Sequence, residues 1–331
     1  MPNEFELIAR YFAPLARGFP GAYGLRDDAA VISPAPGCEL VVKTDTIVSG
    51  IDFFPDTPGD LVGRKALRVN LSDLAAKGAT PRAYLLSLAL PRSIDERWVA
   101  ALAEGLARDQ TEYGVHLIGG DTGSTTGPVV ATVCAFGDVP AGRIVRRGGA
   151  RPNDLVFVTG TIGDAALGLA ALRGELPGLD CDSAAILIDR YRTPRPRVSL
   201  ASHLAAIATA SVDVSDGLLA DLRHLCVCSG LSAVITDPSV PMTSAARAVI
   251  DSDPKYLVTA LTGGDDYEIL FTAPASAAAG VAGLSRMSGG AITAIGYVST
   301  SDPHSTVTVL DESESALSLH ALGWTHFGSR E

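Results

Sequence analysis

Long hydrophobic runs are missing from this sequence: no apolar stretch approaches the ~18 residues that a membrane-crossing helix needs. Positive charge is scarce as well. Lysine and arginine total 26 against 37 aspartates and glutamates, and the net charge of −11 argues against a nucleic-acid backbone as partner. The five cysteines (Cys38, Cys134, Cys181, Cys226, Cys228) include no Cys-x-x-Cys pair, so neither a zinc site nor a disulfide framework is indicated. Incidental thiols in a reducing compartment are expected instead. The opening residues, Met1-Pro-Asn-Glu-Phe-Glu-Leu7, carry acids early and lack the basic-then-apolar order of a signal peptide. The expectation is a soluble, cytoplasmic protein with neither membrane nor nucleic acid among its partners.

Most familiar catalytic motifs are also missing. There is no Gly-x-x-x-x-Gly-Lys-Ser/Thr phosphate loop, no Gly-x-Gly-x-x-Gly and no His-Glu-x-x-His. A Gly-x-Ser-x-Gly elbow is lacking too, which weakens a serine-hydrolase reading. The six histidines are scattered without ligand spacing.

What is present suits a globular protein of more than one domain. The length of 331 residues is about twice the ~150-residue domain prior, and 47% hydrophobic residues suffice for a sizeable core. The clearest seam is the basic, glycine-rich run Gly142-Arg-Ile-Val-Arg-Arg-Gly-Gly-Ala-Arg-Pro-Asn-Asp154, which divides the chain into domains of residues 1–146 and 147–331. Before it, Glu39–Thr44 and Val129–Phe136 read as strands. Between them, helices are expected to start at Thr57-Pro-Gly-Asp60 and at the capping box Ser93-Ile-Asp-Glu96. After it, strands Leu155–Thr159 and Ser211–Val214 alternate with helices Ala165–Leu172, Val198–Ala208 and Leu218–Cys228. Alternation in both halves predicts an α/β or α+β architecture.

The chemistry-bearing feature is a recurring aspartate at strand–turn junctions. It appears in Asp27-Asp28-Ala-Ala, Thr44-Asp45-Thr46, Asn70-Leu-Ser-Asp73, Gly119-Gly120-Asp121, Asp213-Val-Ser215-Asp216-Gly217 and Gly263-Gly264-Asp265-Asp266. Taken singly, each suits a turn or a cap, and Asp216 would make a good N-cap for the helix after it. Asn70, Asp73 and Lys77 fall on one helical stripe, where Asp73 and Lys77 suit a surface ion pair. Taken together, carboxylates converging on one cleft repel one another unless cations neutralise them. An all-oxygen set selects a hard ion such as Mg²⁺. Hard ions beside glycine-rich turns suit polyphosphate, so the residues point to a metal-dependent phosphoryl-group enzyme.

The same blocks resemble the thiamine-monophosphate kinases of the aminoimidazole-ribonucleotide-synthetase-like superfamily. The resemblance runs from Phe5-Glu-Leu-Ile-Ala-Arg-Tyr-Phe12 to Leu322-Gly-Trp-Thr-His-Phe327. It includes Val69-Asn-Leu-Ser-Asp-Leu-Ala-Ala-Lys-Gly-Ala79, Leu117-Ile-Gly-Gly-Asp-Thr122, Val158-Thr-Gly-Thr-Ile-Gly-Asp164, Val212–Leu218 and Gly263–Glu268. It implies transfer of the ATP γ-phosphate to thiamine monophosphate, without a phosphoenzyme. By the same resemblance, Asp28, Thr44, Asp45, Asp73, Asp121, Asp213 and Asp216 are metal ligands, with Asp45, Asp121 and Asp213 central to catalysis. Gly120, Asp121, Arg147 and Ser215 contact the nucleotide, while Asp52, Asp265 and Trp324 contact the substrate. The implied fold is an N-terminal domain whose strands form a barrel across a homodimer, with residues 39–46 and 129–136 at the interface, followed by an α/β sandwich.

Three residues depart from the family pattern. Asp52 stands where histidine is common, and Asp265 stands where glutamate is usual. Lys43 replaces a small hydroxyl residue, and a lysine there competes with cation binding. Other readings remain open at this point: another ATP-using member of the superfamily, a metal phosphatase, or a metal-dependent nucleotide-binding protein without catalysis.

Overall fold

The apolar alternation and helical periodicity resolve into two compact units, one of residues 1–75 with 79–144 and the other of residues 76–78 with 145–331. The computed structural model describes residues 3–288, 290–300, 306–317 and 323.

The first unit is built on a four-stranded sheet of β1 (Cys38–Val48), β2 (Thr80–Pro91), β3 (His116–Thr125) and β4 (Val130–Pro140), in the order β1-β4-β2-β3. β4 pairs antiparallel with both β1 and β2, whereas β2 and β3 are parallel. A parallel pair needs a crossover, and the helix Glu96–Tyr113 supplies it. The helix Gly59–Ala76 connects β1 to β2 and buries Val62, Leu67, Leu71 and Leu74. These two helices are clamped by a buried ion pair. Arg68 donates to both oxygens of Asp109, from Nε at 2.6 Å and from Nη2 at 2.8 Å. On β1, alternate residues Val42, Thr44 and Thr46 are exposed, Val42 to 56%. Thr46 meets Thr132 of β4 across that face, hydroxyl to hydroxyl, at 2.8 Å.

Two local expectations change. The N-cap of the helix Glu96–Tyr113 is Asp95, not Ser93: its side chain accepts from the amide of Trp98 at 2.9 Å. Both residues suit a cap, and the geometry selects the one with extended backbone next to the first helical residue. Asn70 is buried rather than part of an exposed stripe, and its amide donates to the Ala66 carbonyl. Asp73 pairs with Lys43, while Lys77 donates to the Ser211 carbonyl.

The second unit carries a six-stranded sheet of β5 (Leu155–Thr159), β6 (Ala210–Asp213), β7 (Ser232–Thr236), β8 (Ile269–Ala273), β9 (Ile292–Ser299) and β10 (Val307–Leu310). Its order is β10-β7-β9-β5-β8-β6, antiparallel except for β10 with β7. Every residue of β6 and β8 is buried, as suits strands covered on both faces. Val156, Val158, Ile162, Leu218, Leu222 and Leu225 belong to the core between sheet and helices. Mixed sheets packed by helices in both units bear out the α/β expectation. Among the described residues, no helix is long and apolar enough to cross a membrane.

Candidate active site

In the first unit, β1 projects Lys43 and Asp45 from one face, two residues apart. The last turn of the helix Gly59–Ala76 brings Asp73 to the same place. Lys43 Nζ lies 2.9 Å from Asp73 Oδ2 and 3.2 Å from Asp45 Oδ1. Burial works against the Lys43 ammonium, yet Asp73 and Asp45 together hold its pKa above the ordinary value. Burial also pushes the Asp45 carboxyl up, with Lys43 opposing and the charge of Asp73 adding to the rise.

The other assigned residues of this unit are placed differently. Thr44 points to the opposite face of β1 and its hydroxyl donates to the Val133 carbonyl at 3.0 Å. Asp28 is exposed, and its amide donates to the Asp27 side chain. The Asp52 carboxylate accepts from the Val48 amide at 2.7 Å, closing the turn after β1. Gly120 and Asp121 lie within β3 rather than in a turn, with Asp121 exposed and in register with Ser87. Gly120 has φ 154, and a Cβ there would meet the Leu86 carbonyl oxygen at 1.8 Å. Only glycine allows the two backbones to approach so closely.

In the second unit, two motif blocks far apart in sequence are laced together. β6 ends on buried Asp213, paired with Ile269 at the start of β8. Past that pair, the Val214 amide donates to the Glu268 carbonyl, that of Tyr267 to Val214, and that of Asp265 to Ser215, at 2.8, 2.8 and 2.9 Å. Gly264 permits this approach, since a Cβ there would lie 2.1 Å from the Ser215 carbonyl oxygen. Asp265 and Tyr267 take positive φ values of 72 and 51, and the three backbone bonds over-determine that conformation.

Asp216 does not cap the helix Leu218–Ser229. Gly217 occupies the N-cap position, and the side chain beneath the turn is Asp221, which accepts from the amides of Ser215 and Asp216, both at 3.0 Å. A carboxylate one turn into the helix reaches back to two amides at once, which Asp216 cannot do for its own N–H. Burial, and next the charge of Asp216, push the Asp221 carboxyl up to about 7, against the two amides and Arg147. Arg147 is exposed, and its charge opposes the rise at Asp221.

Beneath the Gly263–Glu268 block lies a buried ion network. Glu268 accepts from the Thr159 hydroxyl at 2.6 Å, from Arg190 Nη2 at 2.7 Å and from Arg197 Nε at 2.6 Å. Asp266 accepts from the amides of Gly163 and Ala165 at 2.7 and 3.2 Å, and burial pushes its carboxyl up to about 8. Asp164, in the adjoining block, accepts from the hydroxyls of Thr161 and Thr243. Sequence reasoning missed Asp221, Asp266, Glu268 and Asp164 as supports of the site. The available signal was the acid content of the Gly-Gly-Asp-Asp-Tyr-Glu block together with the arginines of Arg190–Arg197.

Thus Asp45 and Asp73 come together in the first unit, and Ser215, Asp216 and Asp265 in the second. Trp324 lies outside the described residues. Among the described residues no group of three or more His, Cys, Asp or Glu side chains is arranged to hold a metal ion. The Asp45–Asp73 pair nonetheless fits a hard cation, for both carboxylates already face one cationic atom, Lys43 Nζ.

Residues 26–139 match the family model described as AIR synthase related protein, N-terminal domain. The thiamine-monophosphate kinase of Caulobacter vibrioides is 43% identical over 272 residues, covering 81% of this chain and 76% of that protein. The chain belongs to the thiamine-monophosphate kinase family. A crystal structure of the family from Stenotrophomonas maltophilia K279a is 38% identical, with a TM-score of 0.83 over 92% of this chain and 96% of that one. A second thiamine-monophosphate kinase structure, AaThiL complexed with AMPPCP and TMP, is 30% identical, with a TM-score of 0.76 and 91% of each chain covered.

Proposed function

We propose that this chain phosphorylates thiamine monophosphate to thiamine diphosphate, using ATP as phosphoryl donor and releasing ADP. The observation that carries the reading is that the family's motif blocks form a physical assembly: the Val212–Leu218 and Gly263–Glu268 blocks are one hydrogen-bonded unit. Both reacting groups are phosphates, so repulsion between like charges is the barrier to be lowered. Arg147 offers a delocalised, permanently charged guanidinium to the nucleotide phosphates. Asp221 fixes the backbone of the Ser215–Asp216 turn, the segment assigned to the nucleotide. A phosphate nucleophile is already ionised at neutral pH, so the reaction needs little from a histidine base, and none is assigned here.

The metal reading is an extension of this. The residues assigned to hold Mg²⁺ are Asp28, Thr44, Asp45, Asp73, Asp121, Asp213 and Asp216; an ion held there would supply positive charge to screen the two phosphates from each other. Asp52, Asp265 and Trp324 are assigned to the thiamine monophosphate end. We further infer a cytoplasmic homodimer. The exposure of Val42 and Thr46 on β1 supports it, because an apolar-bearing sheet face of this kind suits burial against a second copy. Light scattering is expected to find a dimer at micromolar concentration.

The direct test is ADP release with thiamine monophosphate, ATP and Mg²⁺ compared with ATP and Mg²⁺ alone, with thiamine diphosphate followed by chromatography. ADP should appear in step with thiamine diphosphate. Equal ADP release without thiamine monophosphate would count against the assignment.

A further inference from the structure

The acid pair of the first unit carries its own cation. Lys43 Nζ sits between Asp73 Oδ2 at 2.9 Å and Asp45 Oδ1 at 3.2 Å, distances at which an ammonium makes charge-assisted contacts with both. The three side chains keep 30%, 19% and 41% of their surfaces exposed for Lys43, Asp73 and Asp45, so ions from solution can reach them. An ammonium and a hard divalent ion use the same carboxylate lone pairs and compete directly. The lysine has an advantage in that competition: it is tethered one residue away on the same strand face, at an effective concentration of the order of millimolar or above. Mg²⁺ gives up its water reluctantly and needs near-octahedral oxygen geometry. A lysine between two carboxylates leaves the group with a net charge of about −1, too little to call in a second positive ion strongly.

We infer that the Lys43 ammonium takes the place of one divalent cation between Asp45 and Asp73, so this chain binds one divalent ion fewer than it would with a small residue at position 43. The inference rests on the reading that acids of this unit bind divalent ions, and its consequence concerns how many. Part of the positive charge that the phosphates meet is then covalently attached and independent of the free metal concentration.

Mn²⁺ titration of the full chain without nucleotide, following free Mn²⁺ by its paramagnetic resonance signal, counts the ions bound per chain. Lys43→Ser and Lys43→Met are each expected to bind one Mn²⁺ more than the natural chain. Lys43→Arg, which keeps the charge, should retain the natural count. The double variant Lys43→Ser/Asp73→Asn should lose the added ion, which locates it at the pair. Circular dichroism on each variant confirms folding, and the Met and Ser variants back each other. If the natural chain and both neutral variants bind equal numbers of Mn²⁺ with equal affinity, Lys43 is only a surface ion pair; the inference fails and the metal reading stands. If none of the chains binds Mn²⁺, the metal reading fails and takes the inference with it.

Discussion

Glu268 in the second unit has no exposed side-chain surface and is held by two arginines and a threonine, whereas Asp45 and Asp73 in the first share a single lysine and stay partly open to water. Both arrangements set carboxylates against cationic side chains, by different means. The buried acid is matched at every oxygen by groups of the protein itself, so it fixes backbone and leaves little for a ligand. The open pair shares one lysine and keeps part of its surface in contact with solvent. Of these acids, the fully buried one is taken up by groups of the protein itself, and the partly exposed pair is matched by a single lysine.

The sharpest way to break this contrast is Glu268→Gln. Arg190 and Arg197 would face a neutral amide in a buried place, a loss of ~3–5 kcal/mol, and the urea unfolding midpoint should drop steeply. A variant as stable as the natural chain would show that Glu268 does not hold the fold. Asp45→Asn should do the reverse, lowering turnover by ~100-fold or more while shifting stability by less than ~1 kcal/mol, as expected for an exposed ion pair. Steady-state kinetics alongside thermal unfolding separates the two effects.

Asp221 lies between these extremes. Its carboxyl is pushed up to about 7 in the folded chain, above its ordinary value of 3.8. Between those values the unfolded chain has released a proton that the folded chain keeps, so this group's contribution to stability is full below pH ~4 and declines as pH rises toward 7. Asp221→Asn should flatten that part of the stability profile, and Asp221→Ala should raise KM for ATP about tenfold, because the Ser215–Asp216 turn then loses its anchor. An unchanged pH slope in urea denaturation would remove Asp221 from this role. The smallest effect belongs to Asp95→Ala, an acid that only caps a helix: about 1 kcal/mol of stability by thermal melting, with KM values unmoved.

Much of this was legible beforehand. The strand Leu155–Thr159 and the helix from Leu218 follow directly from apolar patterning, and the fold class follows from their alternation. Caps were harder, because Ser93 and Asp95 are both competent and Asp216 competes with Asp221 for the same turn. Composition cannot decide between two good caps; the backbone angle at each position does. Asn70 reads as part of one polar stripe because of its spacing from Asp73, but the fold buries it completely. Lys43 was visible as a misfit residue, while its seat between two carboxylates depends on a helix arriving from elsewhere in the chain.

The lacing of Val214 and Ser215 to Asp265, Tyr267 and Glu268 also bears on how this protein acquires activity. These bonds join segments that leave the ribosome well apart, and the strands that align them, β6 and β8, are paired directly. Non-local pairing of this kind must await loop closure, and it belongs to the slow part of folding. A growing chain that has made β6 but not β8 holds the Asp213 block without its counterpart. Competence then arrives late and all at once, so a refolding experiment should recover activity with the slowest phase that reports on the sheet.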